Sequence, residues 1–365
     1  MKTPSIGIAI MPESNFLKAC LPLFQNSEID AIEWSFDTIQ NPEPEWLSGI
    51  LNAFATENKL IGHGVYYSLF DAKWTKRQEF WLEKLKIEIQ KRQYTHISEH
   101  FGFMSSQDYH AGFPLPVSLN NTTLKIGIDR IKRLQDAAQL PVGIENLAFS
   151  FSKSDVEQQG EFIAKIIDSV NGFLILDLHN IYCQSHNFEI DMHELIKFYP
   201  LSEVKEIHIS GGSWQDSLYY KHKKIRRDTH DGNVLNEIFE FLPKVLEKCK
   251  NIDFVIFERL GNSFFDDLDF IQYQKDFLKI KSIVNNQEFI ESNKIWTKKF
   301  DLEKVPFSDL QLYQEQQILS KTLSKNINPN DIKNLNLKYW NTDSWDLEMI
   351  NTAKLISEKW SSESN

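Results

Sequence analysis

The chain has 365 residues, which is enough for one large domain with an appendage or for two ordinary domains. Its formal net charge of −11 argues against a nucleic-acid partner, because such binding usually needs a basic surface. Three cysteines without a Cys-x-x-Cys pair predict no disulfide framework and no zinc ribbon, and they fit a reducing compartment. We find no signal-peptide pattern and no stretch near the ~20 apolar residues of a membrane span, so we expect a cytoplasmic protein without a membrane partner.

Short apolar runs alternate with longer amphipathic stretches, which is typical of parallel βαβ units in an α/β fold. Strands are predicted at residues 5–10, 31–36, 60–66, 95–101, 142–147, 173–178, 204–209 and 253–258. Helices are predicted at residues 15–24, 45–57, 74–92, 124–139, 161–170, 191–198, 233–250 and 267–284. This order favours a closed (β/α)8 barrel over residues 1–286. A doubly wound open sheet is the alternative, but the Gly-rich turn of its cofactor site is missing after the first strand.

Residues 287–365 have a different pattern, with helices predicted at 309–323 and 344–360. Four tryptophans, Trp296, Trp340, Trp345 and Trp360, argue against disorder in this segment. We interpret it as a mainly helical C-terminal extension packed on the barrel. The alternative is a module that docks a peptide or a partner protein.

Metal-binding side chains stand at the predicted carboxyl ends of strands three to eight and in the loop after strand seven, where a (β/α)8 barrel carries its active site. They comprise four carboxylates, four imidazoles and one amide: Glu145, Asp177, Asp228, Glu258, His63, His100, His208, His230 and Asn180. Unpaired carboxylates in apolar strands are costly, so cations are expected among them. The set is too large for one ion and predicts two or three, with Glu145 as the bridge because it is central in strand order. Nitrogen and oxygen donors suit iron, manganese or zinc.

A single histidine at a strand end is more often a hydrogen-bonded structural residue than a ligand, but so many candidates on consecutive strands reverse that expectation. Other histidines fall outside the pattern and are expected to be structural or exposed: His96, His110, His186, His193 and His222. His179 is ambiguous, because on a regular strand it faces the same way as Asp177. Asn180 would face away unless the chain turns there, so the residues alone leave both open.

A basic run follows strand seven, from Lys221 to Arg227. Such a run is usually a solvated face. The functional interpretation is a clamp for an anionic group of the substrate at the barrel mouth, because Lys and Arg suit carboxylate and phosphate. The residues predicted to bind substrate in this way are Lys223, Lys224, Arg226 and Arg227.

Together these motifs resemble the multinuclear non-heme iron oxidative enzymes, which include the methanobactin-biosynthesis type. The resemblance covers about residues 5–286. It rests on the motifs His63-Gly64-Val65, Ser98-Glu99-His100, Glu145-Asn146, Asp177-x-x-Asn180 followed by Tyr182, His208, Asp228-x-His230 and Glu258. It implies a barrel of the xylose-isomerase-like type, two or three iron ions in mixed Fe(II)/Fe(III) states, and O2 as co-substrate. It also implies a ribosomal precursor peptide as substrate, oxidised at a Cys or an acidic residue, and commonly a separate or fused recognition partner.

The resemblance matches the nine candidate residues to ligand positions and favours Asn180 over His179. It implies that Glu145, His208 and Asp228 are required for catalysis. One departure is His179, where the family more often has Asn, and another is the length of the tail.

Two other functions compete with this interpretation. A trinuclear zinc phosphodiesterase resembling endonuclease IV uses a similar order of ligands, but it usually has His at the position of Asn180, and the acidic charge disfavours DNA. A peptide-binding barrel without catalysis is the second alternative, and the intact ligand set argues against it.

Overall fold

The structure is a computed structural model that describes residues 3–38, 43–106, 109–290, 293–325 and 328–362. The side chains of His110 and Trp360 lie outside the described part of the chain. Its elements follow the βα alternation that the sequence predicts.

Eight parallel strands close into a barrel in the order β1-β12-β9-β8-β7-β4-β3-β2. The barrel strands are β1 (Ser5–Ala9), β2 (Ala31–Trp34), β3 (Leu60–Gly64), β4 (Ile97–His100), β7 (Val142–Glu145), β8 (Phe173–Asp177), β9 (Val204–Ile209) and β12 (Phe254–Phe257). Both faces of these strands are covered, which explains why they are apolar runs and not alternating patterns. The predicted (β/α)8 barrel is therefore confirmed.

Helices surround the barrel and continue beyond it. The α-helices are α1 (Ser14–Gln25), α2 (Glu45–Thr56), α3 (Lys76–Lys91), α4 (Asn121–Ala138), α5 (Lys153–Asp168), α6 (Leu178–Phe188), α7 (Met192–Leu195), α8 (Asn236–Leu246), α9 (Asp267–Asn285), α10 (Leu310–Leu323), α11 (Pro329–Lys333) and α12 (Leu347–Ser362). Their apolar faces form one continuous core with the outer side of the barrel. Within the described ranges, no helix is both long enough and apolar enough to cross a membrane.

The largest difference from the predicted elements follows β8. The sequence predicts a helix over 191–198, whereas the main helix is α6, which begins at Leu178 directly after the strand. The side chain of Asp177 causes this early start, because it caps the helix by accepting a hydrogen bond from the Asn180 backbone N–H. Only the short α7 and a 3₁₀ turn occupy the predicted segment.

Two antiparallel hairpins, which the strand pattern did not predict, extend from loops of the barrel. One is formed by β5 (Phe103–Ser106) and β6 (Tyr109–Leu115). The other is formed by β10 (Ser213–Asp216) and β11 (Lys224–Arg227), so the predicted basic loop is largely a strand.

The C-terminal helices pack on loops that follow the carboxyl ends of barrel strands, as the predicted helical extension requires. Trp345 stacks on Phe151, with ring centroids 4.0 Å apart and an interplanar angle of 11°. The carboxylate of Glu348 accepts hydrogen bonds from Ser217 and from the next two backbone N–H groups at the tip of the β10–β11 hairpin. The extension therefore holds loops at the face of the barrel where the candidate site lies.

Candidate metal centre

Each of the barrel strands β3, β4, β7, β8, β9 and β12 brings a predicted ligand to the same end of the barrel, because parallel strands end on one side. His63, His100, Glu145 and Asp177 stand in the last two positions of their strands, and Glu258 directly follows β12. His208 lies one residue before the end of β9. The structure thus brings together the strand-end residues that the sequence predicts.

The first group of ligand atoms consists of His63, His100 and Glu145. The two histidine Nε2 atoms are 3.3 Å apart. Glu145 Oε2 lies 3.4 Å from the Nε2 of His63 and 3.3 Å from that of His100. Each imidazole is oriented through its other nitrogen, since His63 Nδ1 lies 2.7 Å from Ser98 Oγ and His100 Nδ1 lies 3.2 Å from the Gly64 carbonyl oxygen. Such outer contacts leave both Nε2 atoms available to an ion.

The second group consists of Glu145, Asp177, His208 and Glu258, all of them buried. His208 Nδ1 lies 3.3 Å from Glu145 Oε1 and 3.4 Å from Glu258 Oε1. Glu145 therefore presents one oxygen to each group. This is the geometry expected of a carboxylate that bridges two ions.

Asp228 and His230 extend this cluster from the segment that follows β11. His230 Nε2 lies 2.8 Å from Asp228 Oδ1, and its Nδ1 lies 3.9 Å from Glu258 Oε2. The backbone of His230 has a φ of 49°, in the left-handed region that residues other than glycine rarely adopt. The carbonyl oxygen of His230 accepts a hydrogen bond of 2.8 Å from the Leu260 N–H, which holds this conformation.

Asn180 is buried beside Asp177 because the chain turns into α6 directly after that residue. Its side-chain Nδ2 donates to the carbonyl oxygen of Asn146 at 2.8 Å. Asn146 in turn accepts a 2.8 Å hydrogen bond from the Asp177 N–H. Asn146 therefore holds both residues, Asp177 through its side-chain oxygen and Asn180 through its backbone carbonyl, a role that the sequence did not predict.

Several buried oxygens of the predicted ligands lack a hydrogen-bond partner within the described ranges: Asp177 Oδ2, Asn180 Oδ1 and Glu258 Oε2. Buried polar atoms in folded proteins are nearly always satisfied. Burial, and then the charges of Asp228, Glu145 and Glu258, raise the pKa of Asp177 well above its usual range. A cation would satisfy these oxygens and relieve the repulsion, so the residues fit a metal centre.

The two histidines of the first group differ in their affinity for a proton. Burial lowers the pKa of His63, but the carboxylates of Glu33 and Glu145 outweigh it and raise that pKa to about 9. Burial and the charge of His63 lower the pKa of His100 to about 4. Because a metal binds neutral imidazole, binding at His63 should release a proton.

Two buried carboxylates that were not predicted from the sequence contact the His208 ring. His208 Nε2 lies 3.1 Å from Glu33 Oε2 and 3.2 Å from Glu206 Oε1. Glu206 also lies 2.6 Å from Nε2 of His96, so His96 has the structural role expected of it. A carboxylate on one ring nitrogen fixes the imidazole and directs the other nitrogen at the centre. Glu206 was detectable, since it stands two residues before His208 and hence on the same face of the strand.

The basic residues predicted to bind substrate lie on the β10–β11 hairpin. Lys223 Nζ is 3.2 Å from Glu189 Oε1, Lys224 Nζ is 4.0 Å from Asp216 Oδ1, and Arg227 donates to Gln215 at 2.5 Å. Arg226 is buried and donates from Nε to His179. The anion clamp remains a prediction for these four residues.

A sequence model of a known protein family matches residues 23–268. Its description is RiPP precursor modification enzyme MbnB/TglH/ChrH, where RiPP denotes a ribosomally synthesised and post-translationally modified peptide. The chain belongs to this family. The match spans most of the barrel and includes all nine predicted ligands. The predicted family resemblance is thereby confirmed.

Curated relatives of this MbnB/TglH/ChrH family member are named UPF0276 proteins. The one from Shewanella loihica is 24% identical over 211 residues, which cover 54% of this chain and 71% of the relative. The one from Chromobacterium violaceum is 26% identical over 153 residues, which cover 42% of this chain and 53% of the relative. The chain thus spans between about half and about seven tenths of the length of these relatives.

Solved structures similar to this family member share its barrel. A D-allulose 3-epimerase from Methylomonas sp. superposes with a TM-score of 0.50 at 13% identity, covering 77% of this chain and 98% of that chain. A xylose isomerase-like TIM barrel/4-hydroxyphenylpyruvate dioxygenase fusion protein also gives a TM-score of 0.50 at 13% identity, covering 81% of this chain and 46% of that chain. At these identities the likeness shows the xylose-isomerase-like fold and nothing about the reaction.

Proposed function

We propose that the chain is an iron- and O2-dependent oxidative enzyme that modifies a Cys or an acidic residue of a ribosomally made precursor peptide. The observation that carries the proposal is the shared carboxylate of Glu145, which faces two groups of buried ligand atoms at once. Membership of a family of RiPP precursor modification enzymes supports the class of substrate. The nitrogen and oxygen donors suit iron, manganese and zinc alike. The choice of iron rests on the resemblance described above.

We propose the following ligand set for two or three ions: His63, His100, Glu145, Asp177, Asn180, His208, Asp228, His230 and Glu258. The bound iron would supply redox equivalents and activate O2. Glu145 would contribute a ligand oxygen to each of two groups, because its two oxygens face different groups. Glu206 and Glu33 would hold the His208 ring in one orientation.

The surroundings of the centre contribute water exclusion and substrate orientation. The carboxylates of Asp177 and Glu258 are buried, so electrostatic interactions at the centre are strong. Lys223, Lys224 and Arg227 lie on the hairpin that leads directly into Asp228. We propose that this hairpin orients an anionic group of the peptide, and that residues 287–365 keep the hairpin in place through Glu348.

Metal analysis of the full chain, produced with iron and kept anaerobic, tests the proposal directly. Two or three irons per chain are expected, with Mössbauer signals of magnetically coupled ions. A mass shift should then appear in a precursor peptide encoded beside the gene when O2 is admitted, and protein reconstituted with zinc should give none. Exclusive zinc binding, or peptide modification that proceeds equally with zinc, would overturn the proposed function.

A further inference from the structure

A buried row of three polar side chains stands behind the proposed metal ligand Asp228. His179 lies in the first turn of α6 and is fully buried. Its Nδ1 is 2.9 Å from Asp228 Oδ1, and its Nε2 is 2.9 Å from Arg226 Nε. The row therefore runs from Arg226 through the imidazole to the carboxylate.

Hydrogen-bond chemistry fixes the tautomer of His179. A guanidinium group can only donate hydrogen bonds, so the Nε2 atom beside Arg226 must be the accepting nitrogen. The ring proton then resides on Nδ1, which donates to Asp228. A neutral imidazole of this tautomer presents its N–H to the carboxylate and to no other group along the row.

Packing holds Arg226 and His179 in this arrangement. The backbone of Arg226 exchanges two hydrogen bonds with the side chain of Asn187, of 2.9 and 3.0 Å. Its guanidinium carbon lies 5.0 Å from the centroid of the Trp214 ring. The imidazole lies close to Gly212, where a Cβ would approach His179 Cε1 to 2.7 Å, so only glycine leaves room for the ring.

We propose that His179 is a positioning residue that holds the Asp228 carboxylate towards the metal centre, and that Arg226 acts through it by holding the ring from its Nε2 side. This inference rests on the proposed function, because it needs an ion held by Asp228 and His230. For Arg226 it replaces the predicted contact with substrate, because this side chain is buried and its Nε donates to His179. His179 stands where the resemblance leads us to expect Asn. An Asn side chain at this position would place its amide nitrogen close to the position of Nδ1, so either residue can donate to Asp228.

Anaerobic titration of the full chain with Fe(II), read by competition with a chromophoric chelator and by iron analysis after gel filtration, tests this role. His179→Ala should weaken one class of iron sites by about 10–100-fold, which is the usual cost of losing an outer partner of a ligand. His179→Asn should restore the wild-type affinity, because its amide can still donate to Asp228. Arg226→Met should weaken the same class of sites, since His179 then loses the hydrogen bond that holds its Nε2 and with it the orientation of the ring.

His193→Ala is the matched control, because this histidine lies on α7 and packs against Phe241 away from the centre. It should bind iron as the wild type does. Circular dichroism and thermal unfolding of each variant establish that it is folded. Should His179→Ala prove unstable, His179→Asn and Arg226→Met still decide: the first keeps a side-chain donor to Asp228 and should bind iron as the wild type does, and the second loses the hydrogen bond that orients the ring and should bind more weakly.

The outcomes separate this inference from the proposed function. If the wild type binds iron and folded His179→Ala binds it with equal affinity and stoichiometry, the positioning role is wrong and the proposed function stands. If His179→Asn is as weak as His179→Ala, the hydrogen bond to Asp228 is not the cause and the inference is also wrong. If the wild type binds no iron, the proposed function fails first and this inference falls with it.

Discussion

Replacing Glu145 with Gln tests the bridging carboxylate while keeping the size of the side chain. Glu145 presents one oxygen to His63 and His100 and the other to His208, at distances of 3.3 to 3.4 Å. The substitution therefore removes the negative charge of a carboxylate that two groups of ligand atoms share. Loss of an outer partner alone costs about 10–100-fold in metal affinity. Loss of a shared ligand should exceed that range, so each of two ions should bind more than about 100-fold more weakly, which corresponds to more than about 2.7 kcal/mol.

The assay is anaerobic Fe(II) titration with a competing chelator, combined with iron analysis of the purified chain. Glu161→Gln is the matched control, because Glu161 is an exposed residue of α5 that pairs with Lys165 within its own helix. The control should retain the wild-type iron content. Retention of the same number of irons by Glu145→Gln, with affinities within tenfold of the wild type, would refute the assignment of Glu145 as the bridge. A selective loss from one group alone would make Glu145 an ordinary ligand of that group.

Three further predictions concern the extension, the ion pairs of Glu43 and the metal. Trp345→Ala should lower the free energy of unfolding by about 3–5 kcal/mol, because this buried ring stacks on Phe151. A decrease below 1 kcal/mol, measured by urea denaturation, would contradict the role of Trp345 in docking the extension. Burial tends to raise the pKa of Glu43, but hydrogen bonds from Arg92 and Lys91 lower it from its ordinary value of 4.5 to about 2. The stability that this ionised carboxylate contributes is therefore fully present above pH 4.5 and is lost as the pH falls towards 2. The stability difference between wild type and Glu43→Gln should shrink over that window, and a constant difference from pH 7 to pH 3 would disprove the linkage. Removing metal with a chelator should lower the melting temperature, because iron at 100 times its dissociation constant stabilises the fold by about 2.7 kcal/mol. Identical melting curves with and without the chelator would show that the ion does not stabilise the folded chain.

The helical extension connects the fold to the chemistry. It contacts the loop after β7 through Phe151 and the hairpin after β9 through Glu348. Both loops follow barrel strands that carry proposed ligands. Destabilising the extension should therefore disturb the hairpin before it disturbs the barrel, which makes the Trp345 variant informative about substrate binding as well as stability.

The barrel and most of the centre were predictable from the sequence. Buried parallel strands are recognisable as apolar runs, and a carboxylate at the end of such a run is unlikely to be there without a partner because burial of an unpaired charge is costly. Glu145, Asp177 and Glu258 stood out for this reason. Their strand ends meet on one face because all barrel strands are parallel.

Other features depended on contacts between segments far apart in the chain. Glu33 and His208 are separated by most of the barrel sequence, yet β2 and β9 bring their side chains within 3.1 Å inside the barrel. The placement of Asn180 depended on Asp177 starting a helix where the apolar pattern suggested the end of a strand. The link from Arg226 to Asp228 through His179 required the hairpin to fold back on α6. The sequence alone thus determined which residues reach the mouth of the barrel, through strand periodicity and the cost of buried charge. Only the tertiary structure decided which of them face one another and which hold another in place, because hydrogen-bond partners are set by packing in three dimensions.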